Sequence, residues 1–185
     1  VNTILSVIGE SPVNSLSGQL SVDAVQAENI LDEVNRSVQT TGWKFNTETE
    51  VVYTPDAVSK EIAIPLNVSF FDVEPEFSES DTDIDVVIRG TKLYDLKNHT
   101  YEFDDEVKAT VVYLLEFTEI PEAARHYITI RAARIFQDRY QGDTSQYQFN
   151  SRDELTAYHW FRQSNSRSAD HSMFQNMDVY RVINR

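Results

Sequence analysis

Cysteine is absent from this 185-residue chain, which removes disulfides, thiolate metal sites and cysteine nucleophiles together. Glycine is nearly as scarce, at five, and none falls in a GxGxxG or P-loop arrangement, so a glycine cradle for phosphates is unsupported. No apolar run approaches the ~20 residues needed to cross a bilayer. Basic residues are short as well. Sixteen Lys and Arg stand against 30 Asp and Glu, a formal charge of −14, and that balance opposes a dedicated nucleic-acid binder, because phosphate contacts need a basic face. The opening segment, residues 1–8, is too short for a secretory signal and lacks its basic leader. Since position 1 is Val and not Met, further residues are expected ahead of it.

The histidines do not fill the gap left by cysteine. His99, His126, His159 and His171 are far apart and form no HExxH or HxH spacing, so each is expected at the surface or half-buried. Asp81-x-Asp83-x-Asp85 imitates the opening of an EF-hand loop, but Val86 and Lys92 stand where that loop needs Gly and Glu. No metal or other cofactor is therefore expected.

What the chain does contain is enough apolar material for a core. Its hydrophobic fraction is 41%, with 10 Phe and 9 Tyr, too much for a disordered chain. The charge is unevenly spread. Residues 1–120 hold 7 Lys and Arg against 23 Asp and Glu, whereas residues 121–185 hold 9 against 7. One acidic surface and one nearly neutral, packing part are implied.

Val1, Ile4, Leu5 and Ile8 fall on one face of a short helix stopped by Gly9 and Pro12. A second helix is expected at 21–41, capped by Ser21 or Asp23, with Ala24, Ala27, Leu31, Val34 and Val38 as its apolar stripe. Gly42 ends it, and Trp43 opens a different regime. From there to Phe117 the pattern is β-branched and aromatic, predicting strands at 51–53, 62–71, 86–88, 92–96, 100–103 and 107–117, with turns at Gly90, Asn98 and Asp104-Asp105. Pro121 and Glu122 open a third helix running to Tyr140, with Ala124, Ile128, Ala132, Ile135 and Phe136 on its buried face and Arg131, Arg134 and Arg139 outside it. Beyond Gly142, Thr144 or Ser145 caps a fourth helix to about Ser164, with Tyr147, Leu155, Tyr158 and Phe161 as its apolar positions.

The resulting class is α+β: a bundle of about four helices carrying an inserted antiparallel β domain and an extended C-terminal tail. The expected division is 1–45 and 119–166 for the helical domain, 46–118 for the β domain and 167–185 for the tail. Two segments invite a functional reading. The acidic run of Asp72, Glu74, Glu76, Glu79, Asp81, Asp83 and Asp85 contains no basic residue and reads as a solvated loop. The tail scatters Met173, Phe174, Met177, Tyr180 and Ile183 among polar residues, with Arg181 and Arg185 beside them. So few apolar groups cannot offset their own ordering entropy, so the tail is expected to dock on another surface. Carboxylates are numerous enough to leave open a virion-associated peptidoglycan hydrolase using two of them, with Trp43 and Trp160 as sugar-stacking candidates. A generic acidic adaptor module is a third reading.

Local wording narrows the choice. Ile4-Leu5-Ser6-Val7-Ile8-Gly9-Glu10-Ser11-Pro12-Val13, then Gly42-Trp43-Lys44-Phe45-Asn46, then Arg89-Gly90 with Leu93-Tyr94-Asp95, then Ile120-Pro121-Glu122 followed by Arg131-Ala132-Ala133-Arg134-Ile135-Phe136, resemble in order and spacing the tail tubular protein A family of short-tailed phages. The resemblance covers residues 1–142. Beyond Gly142 it is one of position and length only. It implies a structural virion protein with no catalytic residues, made in the host bacterial cytoplasm and built into the tail at the head–tail junction. It further implies a homo-oligomeric ring of about twelve copies, a closed symmetry of the kind most homo-oligomers adopt. Such a ring meets the portal protein on one side and the nozzle, tail tubular protein B, on the other, with tail fibres nearby. DNA passes through it unbound, and no membrane is involved.

Overall fold

A computed structural model describes residues 1–15, 21–73, 84–140 and 144–168, the side chains of 144–150 and 168 excepted. The chain divides into two compact units, a helical one from Val1–Val38 and Phe117–Arg185, and a β unit, Gln39–Glu116. The α+β class holds: the described residues form four helices and two antiparallel sheets.

In the helical unit, α1 spans Asn2–Ser6, shorter than its sequence period suggested. Gly9 adopts φ 78, the Glu10 N–H donates to the Leu5 carbonyl at 3.2 Å and the Gly9 N–H to that of Ser6 at 3.2 Å. This is a left-handed closure of the helix end that glycine allows at low cost. Helix α2, Val22–Gln39, is capped as expected: Ser21 Oγ accepts the Ala24 N–H at 3.2 Å. Ala24, Ala27, Leu31, Val34 and Val38 are all buried, and Ile30 joins them. Helix α3, Glu122–Tyr140, buries Ala124, Ile128, Ala132 and Phe136, but Ile135 is only half-buried and Tyr127 and Ala133 take the remaining space. Helix α4 runs Thr144–Ser168, longer than expected. Its core contacts are Ala157 and Phe161, whereas Leu155, expected on the apolar face, is 60% exposed. Tyr127 joins α3 to α4 by stacking on Phe161, with centroids 5.7 Å apart and planes 19° from parallel.

The β unit contains β1 (Thr47–Tyr53), β2 (Val68–Val73), β3 (Val86–Arg89), β4 (Lys92–Asp95) and β5 (Val107–Tyr113). The larger sheet has the order β1-β5-β2, and β3-β4 is a hairpin. The run 62–71, expected as one strand, is broken because Pro65 has no N–H to give and a turn follows at Leu66 and Asn67. Its first part instead lies beside β4: Leu93 N–H donates to the Ile62 carbonyl at 3.0 Å, and Ile64 N–H to that of Thr91 at 2.8 Å. Residues 100–103 likewise form only isolated bridges. The core is Ile62, Ile64, Phe71, Leu93, Phe103, Val107, Ala109 and Val111, with Val86 and Ile88 packed against it. The hairpin therefore lies as a second layer over one face of the sheet, and each layer keeps one outward face.

A buried amide knot sits where the chain enters and leaves this unit. Gln39 Nε2 donates to the Leu115 carbonyl at 2.9 Å, and Gln39 Oε1 accepts the Leu115 N–H at 2.8 Å. Asn46 Nδ2 donates to the carbonyls of Gln39 and Tyr113 at 2.9 and 2.7 Å, and Asn46 Oδ1 accepts the Trp43 N–H at 2.8 Å. Gly42 beside it is at φ 78, and a Cβ there would stand 3.2 Å from Val112 Cγ2. Glycine answers both constraints.

Candidate assembly surfaces

Three outward surfaces carry side chains that the cores do not use. The first is the outer face of the β3–β4 hairpin. The two-residue turn with Gly90 at φ 66 places Val87 opposite Tyr94 and Arg89 opposite Lys92, so Arg89 is the diagonal neighbour of Tyr94. The Arg89 guanidinium carbon lies 3.6 Å from the Tyr94 ring centroid, and Tyr94 meets Tyr101 edge-on at 4.8 Å. Lys92 on the same face is neutralised by Glu61 at 2.7 Å. The next turn is fixed from within. Asp95 accepts the N–H groups of Lys97 and Asn98 at 2.8 and 2.9 Å and the Asn98 amide at 2.8 Å. Burial alone would raise the Asp95 carboxyl, but those donors together hold it below the usual carboxylate range.

The second surface is the outer face of the larger sheet. Val52 pairs with Lys108, Asp72 with Thr110 and Phe70 with Val112; Val52, Asp72 and Phe70 are exposed, whereas Val112 is buried beside Gly42. Val52 is 52% exposed and Phe70 48%, one on each of the two edge strands that flank β5. On the core-facing side Tyr53 and Tyr113 bring their hydroxyls to 3.3 Å, and burial followed by that hydrogen bond pushes the Tyr53 phenol well above its ordinary value.

The third lies on the helical unit. Glu154 of α4 pairs with Arg134 and stands 3.8 Å from Arg131 Nε, fastening α4 to the arginine side of α3. Arg134 also reaches Asp138 at 2.8 Å. The arginines expected outside the apolar stripe are thus structural ties. Arg139 meets Glu33 of α2 at 3.2 Å, and the Tyr140 hydroxyl has Asp23 at 2.8 Å and Gln26 at 2.7 Å as acceptors for its one proton. On the opposite flank of the α3–α4 pair, His126, Ile130, Asp153, Thr156, Ala157 and Trp160 line an open depression of about 260 Å³. Trp160 is 65% exposed there, with the His126 ring 6.4 Å away. Trp160 is a surface group, and Trp43, half-buried, lies in the other unit.

Of the acidic run, Asp72 belongs to β2 and Asp85 precedes β3, and both are exposed. Glu74, Glu76, Glu79, Asp81 and Asp83 lie outside the described residues, as do Met173, Phe174, Met177, Tyr180, Arg181, Ile183 and Arg185 of the tail. Sequence reasoning passed over the hairpin platform. Its signal was present in the Gly90-Thr91 turn, which fixes the register and with it the Arg89–Tyr94 diagonal.

A family model for tail tubular proteins matches residues 1–171. The chain belongs to the tail tubular protein family. Among curated relatives, tail tubular protein A of Klebsiella phage KP34 is 28% identical over 147 residues, 78% of this chain and 74% of that protein. This tail tubular protein is accordingly a structural component of a phage tail and assembles there with other tail components.

Proposed function

We propose that this tail tubular protein is the head-to-tail adaptor: a closed ring of about twelve copies between portal and nozzle, enclosing the channel through which DNA is ejected. The observation that carries this reading is the distribution of charge on a family member of this kind. The β unit, residues 39–116, holds 6 Lys and Arg against 17 Asp and Glu, while the helical unit holds 10 against 13. An acidic wall repels phosphate, so DNA slides past it without sticking. The acidic run that begins at Asp72 is the candidate for the lumen, since at a Debye length of about 8 Å only groups near the wall act on the DNA. The nearly neutral helical unit, with its exposed Trp160 and its C-terminal tail, then meets portal, nozzle or a neighbouring copy. Met173, Phe174, Met177, Tyr180 and Ile183 are the tail's anchors, and Arg181 and Arg185 its acid-seeking ends.

Electron microscopy of isolated tails tests the placement. The expected result is density for this chain at the portal–nozzle junction, and density elsewhere in the tail overturns the proposal. Removing residues 167–185 is expected to leave the circular dichroism spectrum intact and abolish incorporation, and normal incorporation refutes the docking role of the tail. Replacing the carboxylates that follow Asp72 in the acidic run, Glu74, Glu76, Glu79, Asp81, Asp83 and Asp85, with Lys is expected to slow DNA ejection from assembled particles. Normal ejection with reduced adsorption would turn that run towards the tail fibres instead.

A further inference from the structure

The two outward faces of the β unit are complementary in kind, and we infer that they meet each other across the seam between adjacent copies. This inference rests on the ring proposed above and names the surfaces that close it. The hairpin face presents Val87, Arg89, Tyr94 and Tyr101, and the back of the larger sheet presents Val52, Phe70 and Asp72. Both faces leave large apolar side chains partly in water, Val87 and Tyr101 on one and Val52 and Phe70 on the other, and a partner seated there would cover them. Each also carries one exposed charge without a counter-ion among the described residues: Arg89, whose guanidinium is spread on Tyr94, and Asp72 on β2. Lys92 is already neutralised by Glu61, and Lys108, at the β1 side of the back face, is half-buried.

Geometry favours a second copy as the occupant. The inner faces of the two layers share one core, so the hairpin face and the sheet back point in opposite directions on the same unit. One face of a copy cannot reach its own other face. It can reach that of the next copy, and repetition of such a head-to-tail contact generates a ring when the rotation closes. Arg and Tyr are the residue types that dominate binding energy at interface centres, and Arg89 arrives with its conformation fixed by the ring beneath it. At −14 per copy, a seam needs unlike charges brought together to overcome general repulsion. Arg89 against Asp72 supplies that, with Tyr94 and Val87 covering Phe70 and Val52. Asp72 is thereby assigned to the seam, and the lumen is left to the carboxylates that follow it.

The absence of cysteine gives a direct test. A full-length chain carrying both Val87→Cys and Phe70→Cys, assembled into tails and oxidised, is expected to yield a ladder of covalent oligomers in denaturing gels. The two positions are on opposite faces and cannot pair within one chain. Arg89→Glu and Asp72→Lys are each expected to stop incorporation while leaving the monomer's thermal transition unchanged, and the combined charge swap is expected to restore it. Tails that contain a ring by microscopy yet give no ladder, or a double swap no better than either single change, overturn the seam and leave the ring standing. Tails in which the unaltered chain forms no ring overturn both.

Discussion

The two units reach stability by different routes. The helical unit relies on stripes of small and aromatic side chains, Ala24, Ala27, Ala124, Ala132, Phe136 and Phe161, with ion pairs such as Arg134–Glu154 along their rims. The β unit is a thin two-layer sandwich whose buried polar accounting depends on two amides, Gln39 and Asn46. Helices satisfy their backbone internally, so their packing needs only apolar contact. A small sheet leaves backbone groups at its ends, and side chains must answer them. A core cavity is therefore the severe injury in the first unit, and a missing hydrogen-bond partner in the second.

Phe136→Ala should bring the largest loss, about 3–5 kcal/mol, read by urea unfolding followed at 222 nm, since a fully buried ring is removed from the helical core. A cost under about 1 kcal/mol would show that the helical core does not depend on it. Gln39→Ala should cost about 3 kcal/mol, because it strands both the N–H and the carbonyl of Leu115. Gln39→Glu sharpens the point. The ionised carboxylate keeps the acceptor and loses the donor, so its deficit should shrink as pH falls and the new carboxyl gains a proton. Glu154→Gln should cost about 1–2 kcal/mol, as the pair with Arg134 is partly buried and only its charge is withdrawn. A loss as large as that from Phe136→Ala would mean the ion pairs, and not the apolar stripes, hold the helices together.

A pH titration separates the units further. Asp95 titrates below its ordinary value when folded, so its stabilising contribution is complete above the unfolded pKa near ~4 and disappears as the pH falls through the folded value. Asp95→Asn should flatten that acid-side slope in unfolding curves of the β unit, and an unaltered slope would place the acid sensitivity elsewhere. The smallest effect is expected from Trp160→Ala, within about 0.5 kcal/mol in the free protein, because the ring already sits mostly in water. Thermal unfolding measures it, and a shift of many degrees would make Trp160 a core residue.

Helices were legible wherever one apolar face sufficed. Ser21 and the Ala24–Val38 stripe announced α2, and Pro121 with Ala124, Ile128, Ala132 and Phe136 announced α3. The sequence was less informative where partners decide. Leu155 fits an apolar period but looks outward, because Ala157 and Phe161 already fill the contact with α3. Arg131 and Arg134 were placed outside the apolar stripe, but their partner Glu154 lies some 20 positions on, a pairing no local pattern encodes. Most strands were clear from β-branched runs, but residues 100–103 form only isolated bridges and the limits of others were not legible, since Pro65 splits one run and only the lie of Ile62 and Ile64 beside β4 shows where its first half goes. The hairpin platform was spelled out in Arg89, Gly90 and Tyr94, yet only cross-strand register turns those letters into a stacked cation.

Gln39 and Leu115 stand 76 positions apart in the chain and clasp one another through two hydrogen bonds. The β unit is therefore entered and left at one clasp, with its first residue and its last strand's exit side by side. A module closed in that way is exchangeable. Recombination could trade it between related phages, or an engineer could graft a different sheet at the same clasp, as long as a glutamine-like amide and a matching backbone pair are kept. Tail tubular proteins could then vary one module to suit a new neighbour while the helical frame passes down unaltered.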